Sequence, residues 1–281
     1  MRYRRISADC HLDLPWLPPD LFTSAASREL KERMPYVEDG PDGPRWVTKA
    51  GVQMGIPGAV GSVGAPFVPG QNYRVAKLGL KGLELSCSWD MEPMWHPCWE
   101  PLWKAVSDVQ LPLHFHTFPA LPQKVRLQQQ GQVRRMAQFT SVAGFQMNLI
   151  NIIAAIIGAG VLERYPNMRV GFGESGIGWL PYALDRMDFE FEDRFRDLMK
   201  LKPSEYWRRQ CRATFQFDRI GAKLVEDMGV ETLMWGSDYP HPDGVWPESS
   251  RYIAEQFADL PADVVHKITC ENAAKFYGLI N

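Results

Sequence analysis

Carboxylates and imidazoles stand at the ends of strand-length apolar runs over nearly the whole chain. Asp9 and His11 close the first such run, His114 and His116 a middle one, and Asp238 with His241 the last. A mixed carboxylate and imidazole donor set suits a divalent metal that keeps one coordination position open. In Asp9-x-His11, period two places both side chains on one strand face and turns Cys10 to the other, so the thiol is not assigned to the metal. His114 and His116 repeat the pattern, with Phe115 turned toward a helix layer. His114 lies deeper along its strand; it is open between a substrate contact, a satisfied core histidine and a group that orients a ligand. The third cluster, Trp235-Gly236-Ser237-Asp238-Tyr239-Pro240-His241, ends a strand on an aspartate that can bind a metal and take a proton from its bound water. Coordination lowers the pKa of that water toward about 7, so a carboxylate beside it is a competent base. His241 divides between substrate contact and turn packing.

These residues must be carried by alternating strands and helices. After a first strand over 3–8, strand candidates fall at 82–87, 111–117, 169–173, 213–217 and 232–236, and helical patterns at 99–108, 141–165, 179–200, 218–228 and 249–258. That order predicts an α/β fold with a parallel sheet, and chemistry at strand C-termini predicts a (β/α)8 TIM-barrel-like arrangement. A doubly wound sheet fits less well, because no glycine-rich phosphate loop follows a strand. The count reaches six strands where a closed barrel has eight, so two βα units are missing near 72–77. The barrel is therefore expected to be incomplete or open beside the strand at 82–87, and the protein marginally stable or a homo-oligomer. Residues 1–281 read as a single domain in which the Pro- and Gly-rich stretch 12–70 is a long loop or lid.

With 281 residues and 45% hydrophobic content, the chain can bury one large core. A net charge of -2 from 31 basic and 33 acidic residues leaves no footprint for nucleic acid or an anionic membrane, so a small-molecule substrate is expected. Five scattered cysteines and no signal peptide point to a cytoplasmic protein. The apolar run 142–161 is long enough to span a bilayer but contains Gln146, Asn148 and Asn151, and is read as a buried helix. Arg212, beside the 213–217 strand, is open between pairing a substrate carboxylate and an ordinary solvated or salt-bridged arginine. Trp89, Trp95, His96 and Trp99 are open between an aromatic pocket and helix-layer core.

Taken together, Asp9-x-His11, His116 after its apolar strand, Gly-x-Gly-Trp-Leu-Pro at 176–181, Ser237-Asp238-Tyr239-Pro240-His241 and Glu271-Asn272-Ala273-Ala274-x-x-Tyr277-Gly278 resemble the amidohydrolase superfamily. The similarity is to its amidohydrolase-related branch, which contains aminocarboxymuconate-semialdehyde decarboxylase. The resemblance implies one divalent metal, zinc first with manganese or iron as alternatives, held by Asp9, His11, His116 and Asp238. It also gives Asp238 the proton transfers. Decarboxylase-like members usually place a catalytic histidine where this chain has Glu174, which becomes a substitute acid or base, an orienting group, or a carboxylate that binds a backbone amide or an arginine. Three readings follow: hydrolysis of a small cyclic or carboxylated substrate by metal-activated water, nonoxidative decarboxylation, and a catalytically impaired ligand-binding relative.

Overall fold

Strand periodicity decides which side chains meet. The computed structural model describes residues 4–9, 20, 23–24, 28, 31–34, 36–40, 43–47, 49, 53–54, 81–87, 89, 91–118, 129–239, 241 and 244–280. The chain divides into two compact units, one formed by 1–9, 81–237 and 247–281, the other by 10–80 and 238–246.

In the second unit, β1 (Tyr36–Gly40), β2 (Gly43–Val47) and β3 (Gln53–Met54) form an antiparallel sheet in that order. Its register runs from Tyr36↔Val47 to Gly40↔Gly43. The stretch expected to be a bare loop or lid thus carries regular structure. The sequence hides it because the strands are short and flank Gly40-Pro41-Asp42-Gly43, whose turn-forming residues dominate the local composition. Among the described residues these strands pair only with each other and add nothing to the parallel sheet.

The first unit holds β4 (Leu83–Ser86), α1 (Glu100–Val109), β5 (Leu113–His116), α2 (Gly131–Gly144), α3 (Leu149–Gly158), α4 (Val161–Arg164), β6 (Val170–Gly173), α5 (Leu180–Arg194), α6 (Pro203–Gln210), β7 (Cys211–Phe215), α7 (Val225–Met228), β8 (Leu233–Trp235), α8 (Ser249–Gln256), α9 (Ala262–His266) and α10 (Asn272–Phe276). The strands form one sheet, β4-β5-β6-β7-β8, with every neighbouring pair parallel. All five were expected from apolar runs bounded by turns, within two residues at each end. Odd positions of β5, β7 and β8 and even positions of β6 face the helices. There Phe115 stacks on Phe172 and Phe172 on Trp207, at centroid distances of 6.0 and 5.7 Å, and Trp103 lies 6.2 Å from Phe115. By alternation the other face carries His114, His116, Gly171, Gly173, Arg212, Thr214 and Met234.

The sheet is that of a TIM-barrel-like fold whose wall does not close among the described residues. β4 pairs with β5 alone, and Leu83 is 38% exposed. The expected first strand is not a ladder strand over its described part. Instead the 4–9 segment is tied by isolated bonds, Ala8 N–H to Trp235 O of β8 at 3.0 Å and Ile6 N–H to Thr269 O in the helical turn before α10 at 2.9 Å.

The helix pattern at 141–165 is divided rather than continuous. α2 and the run through α3 meet at a 54° bend, and no single described helix is long and apolar enough to cross a membrane. α3 buries Leu149, Ile152, Ile153, Ile156 and Ile157, the spacing of one helix face. α5 ends at Arg194, short of the expected 200, and α6 begins at Pro203, where the Lys202 N–H is capped by Glu205 Oε2 at 2.8 Å.

Candidate metal centre

Asp9 is fixed from three directions. Its Oδ2 accepts the Thr214 hydroxyl at 2.6 Å and the Glu174 backbone N–H at 2.7 Å. A hydroxyl has one hydrogen, so Thr214 Oγ1, having given it to the carboxylate, accepts from Glu174 N–H at 3.0 Å. The third restraint is steric: a Cβ on Gly236 would lie 2.5 Å from Asp9 Cβ, and one on Gly173 would lie 2.9 Å from His116 Cδ2 and 3.6 Å from Asp9 Oδ2. Only glycine leaves room for the two side chains at these places on β6 and after β8.

His116 ends β5 with its ring half-buried, its Nδ1 at 3.2 Å from Thr117 O and its Nε2 at 3.7 Å from Glu174 Oε2. Glu174 follows β6 with φ at 49°, and Asp238 lies just beyond β8 with φ at 55°. The left-handed region costs a side-chain-bearing residue of order 1–2 kcal/mol, and such outliers gather where a structure aims a functional group. Glu174 is buried and its Oε2 accepts the Thr117 hydroxyl at 3.0 Å.

Asp238 is peptide-bonded to Ser237, whose N–H donates to Ser7 Oγ at 2.8 Å, and is itself fully buried. Asp9, His116 and Asp238 each offer a ligand atom, and these atoms lie within 4.8 Å of one another. Two carboxylates and an imidazole at that spacing fit a divalent metal in donor type and in reach, and the glycines at 173 and 236 leave the cradle unfilled by side chains. His11, the remaining expected ligand, lies outside the described residues.

Other expected residues serve different ends. His241 places Nδ1 3.2 Å from Asp238 Oδ2 and returns its N–H to Asp238 O at 2.8 Å, so it faces the aspartate and can orient it. His114 is stacked on Tyr277 with centroids 5.6 Å apart, and its Nε2 is 3.0 Å from the Tyr277 hydroxyl. Burial pushes its pKa down to about 4, against the pull of the Asp9 carboxylate, and the neighbouring His116 adds to the lowering. A neutral ring tied to tyrosine in this way fits the reading of a satisfied core or orienting histidine better than that of a substrate contact. The same applies to Arg212: its guanidinium donates to Cys211 O at 2.6 Å and Arg208 O at 3.3 Å, at the start of β7, two residues before Thr214. Its alternation is right but its depth is wrong for strand-end chemistry. Trp89 and Trp95 are 45% and 59% exposed, which excludes them from the helix-layer core; Trp89 meets Phe118 edge-on at 5.4 Å.

Thr214 was missed by the sequence reading. Its signal was available, since alternation from the buried Ala213 points it at the site, but a strand threonine is too common to single out. The Gly-x-Gly-Trp-Leu-Pro stretch is structural: Ile177 and Gly178 N–H donate to Asp218 Oδ2 at 2.8 and 2.7 Å, locking the start of α5 to the loop after β7.

A family model described as Amidohydrolase matches residues 47–279. Among curated proteins, the 2-amino-3-carboxymuconate-6-semialdehyde decarboxylase of Dictyostelium discoideum is 29% identical over 132 residues, 45% of this chain and 36% of that one. In that match the chain spans little more than a third of the relative's length. Among solved structures, an amidohydrolase from Mycobacterium avium subsp. paratuberculosis superposes with a TM-score of 0.67 at 14% identity, covering 99% of this chain and 98% of the other. A 5-carboxyvanillate decarboxylase from Novosphingobium aromaticivorans, solved with bound manganese and 3-methoxy-4-hydroxy-5-nitrobenzoic acid, gives 0.56 at 19% identity, covering 73% of this chain and 59% of that one. These similarities establish the fold.

Proposed function

The chain belongs to the amidohydrolase family, and on that premise we propose that it is a metal-dependent nonoxidative decarboxylase of a small carboxylated, aromatic or enoic substrate. The observation that carries the reading is the group Asp9, His116 and Asp238 with ligand atoms within 4.8 Å. Those residues, with His11, would hold one divalent ion, zinc or alternatively manganese or iron. The decarboxylase names of the Dictyostelium and Novosphingobium relatives support this choice of reaction over hydrolysis.

When bound, the ion supplies charge that anchors a substrate carboxylate and polarises what it touches. The chain's own residues do the rest. Asp238, buried and faced by His241, delivers a proton to the carbon that loses carbon dioxide. The C–C bond breaks, its electron pair takes that proton, and Asp238 is reprotonated from solvent. Glu174 N–H and Thr214 hold Asp9 in one orientation, so the cradle need not reorganise when the substrate arrives.

Hydrolysis is the second reading, and Glu174 favours it. A buried carboxyl group beside His116, where decarboxylase-like members have a histidine, offers an oxygen that can take a proton from water, which suits hydrolysis. The test is metal analysis followed by assays of aromatic acids, lactones and amides that record carbon dioxide separately from ring opening. Carbon dioxide release dependent on metal and Asp238 supports the first reading. Ring opening without it transfers the assignment to hydrolysis, and no turnover with any substrate favours a ligand-binding relative.

A further inference from the structure

Asp9 is positioned from the far end of the chain. Ala8, the residue before it, sits in a segment that has no strand ladder among the described residues. Yet Asp9 is only 7% exposed and its carboxylate is aligned by Thr214 and Glu174. The backbone around it is tied locally by Ala8 N–H to Trp235 O at 3.0 Å and Ser7 Oγ to Asp9 O at 2.9 Å, and from the far end of the chain by Tyr277, whose hydroxyl is 3.0 Å from Ala8 O and 3.0 Å from His114 Nε2. A carbonyl can only accept, so the single hydroxyl hydrogen goes to Ala8. The oxygen must then accept from His114, which fixes that ring as the Nε2–H tautomer. The stack of His114 on Tyr277 at 10° between planes, with Phe276 edge-on to both rings, holds the pair in place. Room for it is made by Gly171, where a Cβ would fall 2.2 Å from the imidazole. The helix that ends just before Tyr277, α10, is anchored independently: Asn272 Nδ2 donates to Val230 O and Leu233 O at 2.7 and 2.8 Å. The Asn272 to Gly278 motif therefore connects the root of β8 to the backbone that presents Asp9.

We propose that Tyr277, set by His114, is a positioning residue that holds the Ala8-Asp9 backbone in the conformation needed to bind the divalent ion. The inference rests on the reading of Asp9 as a ligand. Removing a group that orients a ligand typically weakens metal binding by about 10–100-fold. The probe is Co2+, whose visible absorption reports ligand geometry, titrated into the full-length metal-free protein against a chelator. Wild type and His116→Ala are measured first: Co2+ binding that His116→Ala abolishes validates the site itself. Tyr277→Phe, which keeps the ring and removes the hydroxyl, is expected to bind Co2+ about 10–100-fold more weakly with an altered spectrum. In the metal-free state it should also speed amide hydrogen exchange in the peptide covering residues 4–9. His114→Leu should reproduce both effects, and His114→Gln, which restores an N–H donor, should recover most of the affinity. If Tyr277→Phe does not fold, the two His114 variants make the same test. Wild-type affinity and spectrum in Tyr277→Phe or His114→Leu would overturn the proposal. Faster exchange at 4–9 with unchanged Co2+ binding would also overturn it, leaving the tyrosine a structural tie only. Absence of any His116-dependent Co2+ binding in wild type would instead refute the metal reading.

Discussion

β6 and β4 occupy the same parallel sheet but live in different environments. Val170-Gly171-Phe172-Gly173 is buried at every position, whereas in Leu83-Glu84-Leu85-Ser86 the first two residues are exposed. β6 has a strand on each side and helices outside it. β4 has one described partner. The site follows this division: Glu174, Thr214 and the peptide leading to Asp238 all hang from β6, β7 and β8. The lesson is that the groups of the candidate site gather on the arc whose strands are covered on both sides among the described residues.

The largest expected effect tests whether the covered arc carries the chemistry. Asp238→Asn should lower kcat by about 10²–10⁴-fold, the usual worth of a positioned acid or base, while an amide oxygen still coordinates. Metal content should fall less than in His116→Ala. Turnover near wild type in Asp238→Asn would remove the proton-transfer role.

Next comes the packing difference itself. Phe172→Ala empties a fully buried site between Phe115 and Trp207 and should cost about 3–5 kcal/mol in urea unfolding. Leu83→Ala, already 38% exposed, should cost about 1–2 kcal/mol. Equal losses would mean that the two ends are equally covered. Native-state hydrogen exchange sharpens the same contrast: β4 amides should exchange through local opening well before those of β6.

Much of this arc is legible in sequence. The five strands announce themselves as short apolar runs, and period two correctly separates His114 and His116 from Phe115. Depth along a strand is not legible that way. Arg212 and Thr214 share a face, yet one binds backbone at the strand's beginning while the other holds Asp9, because alternation gives direction but not height. The choice among the readings of His114 was not legible for a related reason, since its partner Tyr277 is 163 residues away. The small strands at 36–54 were hidden by proline and glycine, and the bend between α2 and α3 by an unbroken apolar run.

Two glycines give smaller effects of opposite sign. Gly236→Ala drives a methyl to 2.5 Å from Asp9 Cβ and should destabilise by about 1–3 kcal/mol, with loss of metal affinity. Gly158→Ala, at the end of α3 with no atom within 4 Å of the new carbon, should stabilise by about 0.5–1 kcal/mol in the same unfolding assay.

The central claim is that strand-end residues distant in sequence hold one ion. An anomalous difference map from zinc-loaded crystals tests it directly. The account predicts one peak per chain about 2.0–2.2 Å from oxygens of Asp9 and Asp238 and a nitrogen of His116. A peak that avoids these three residues, or none on the β5 to β8 arc, would contradict it.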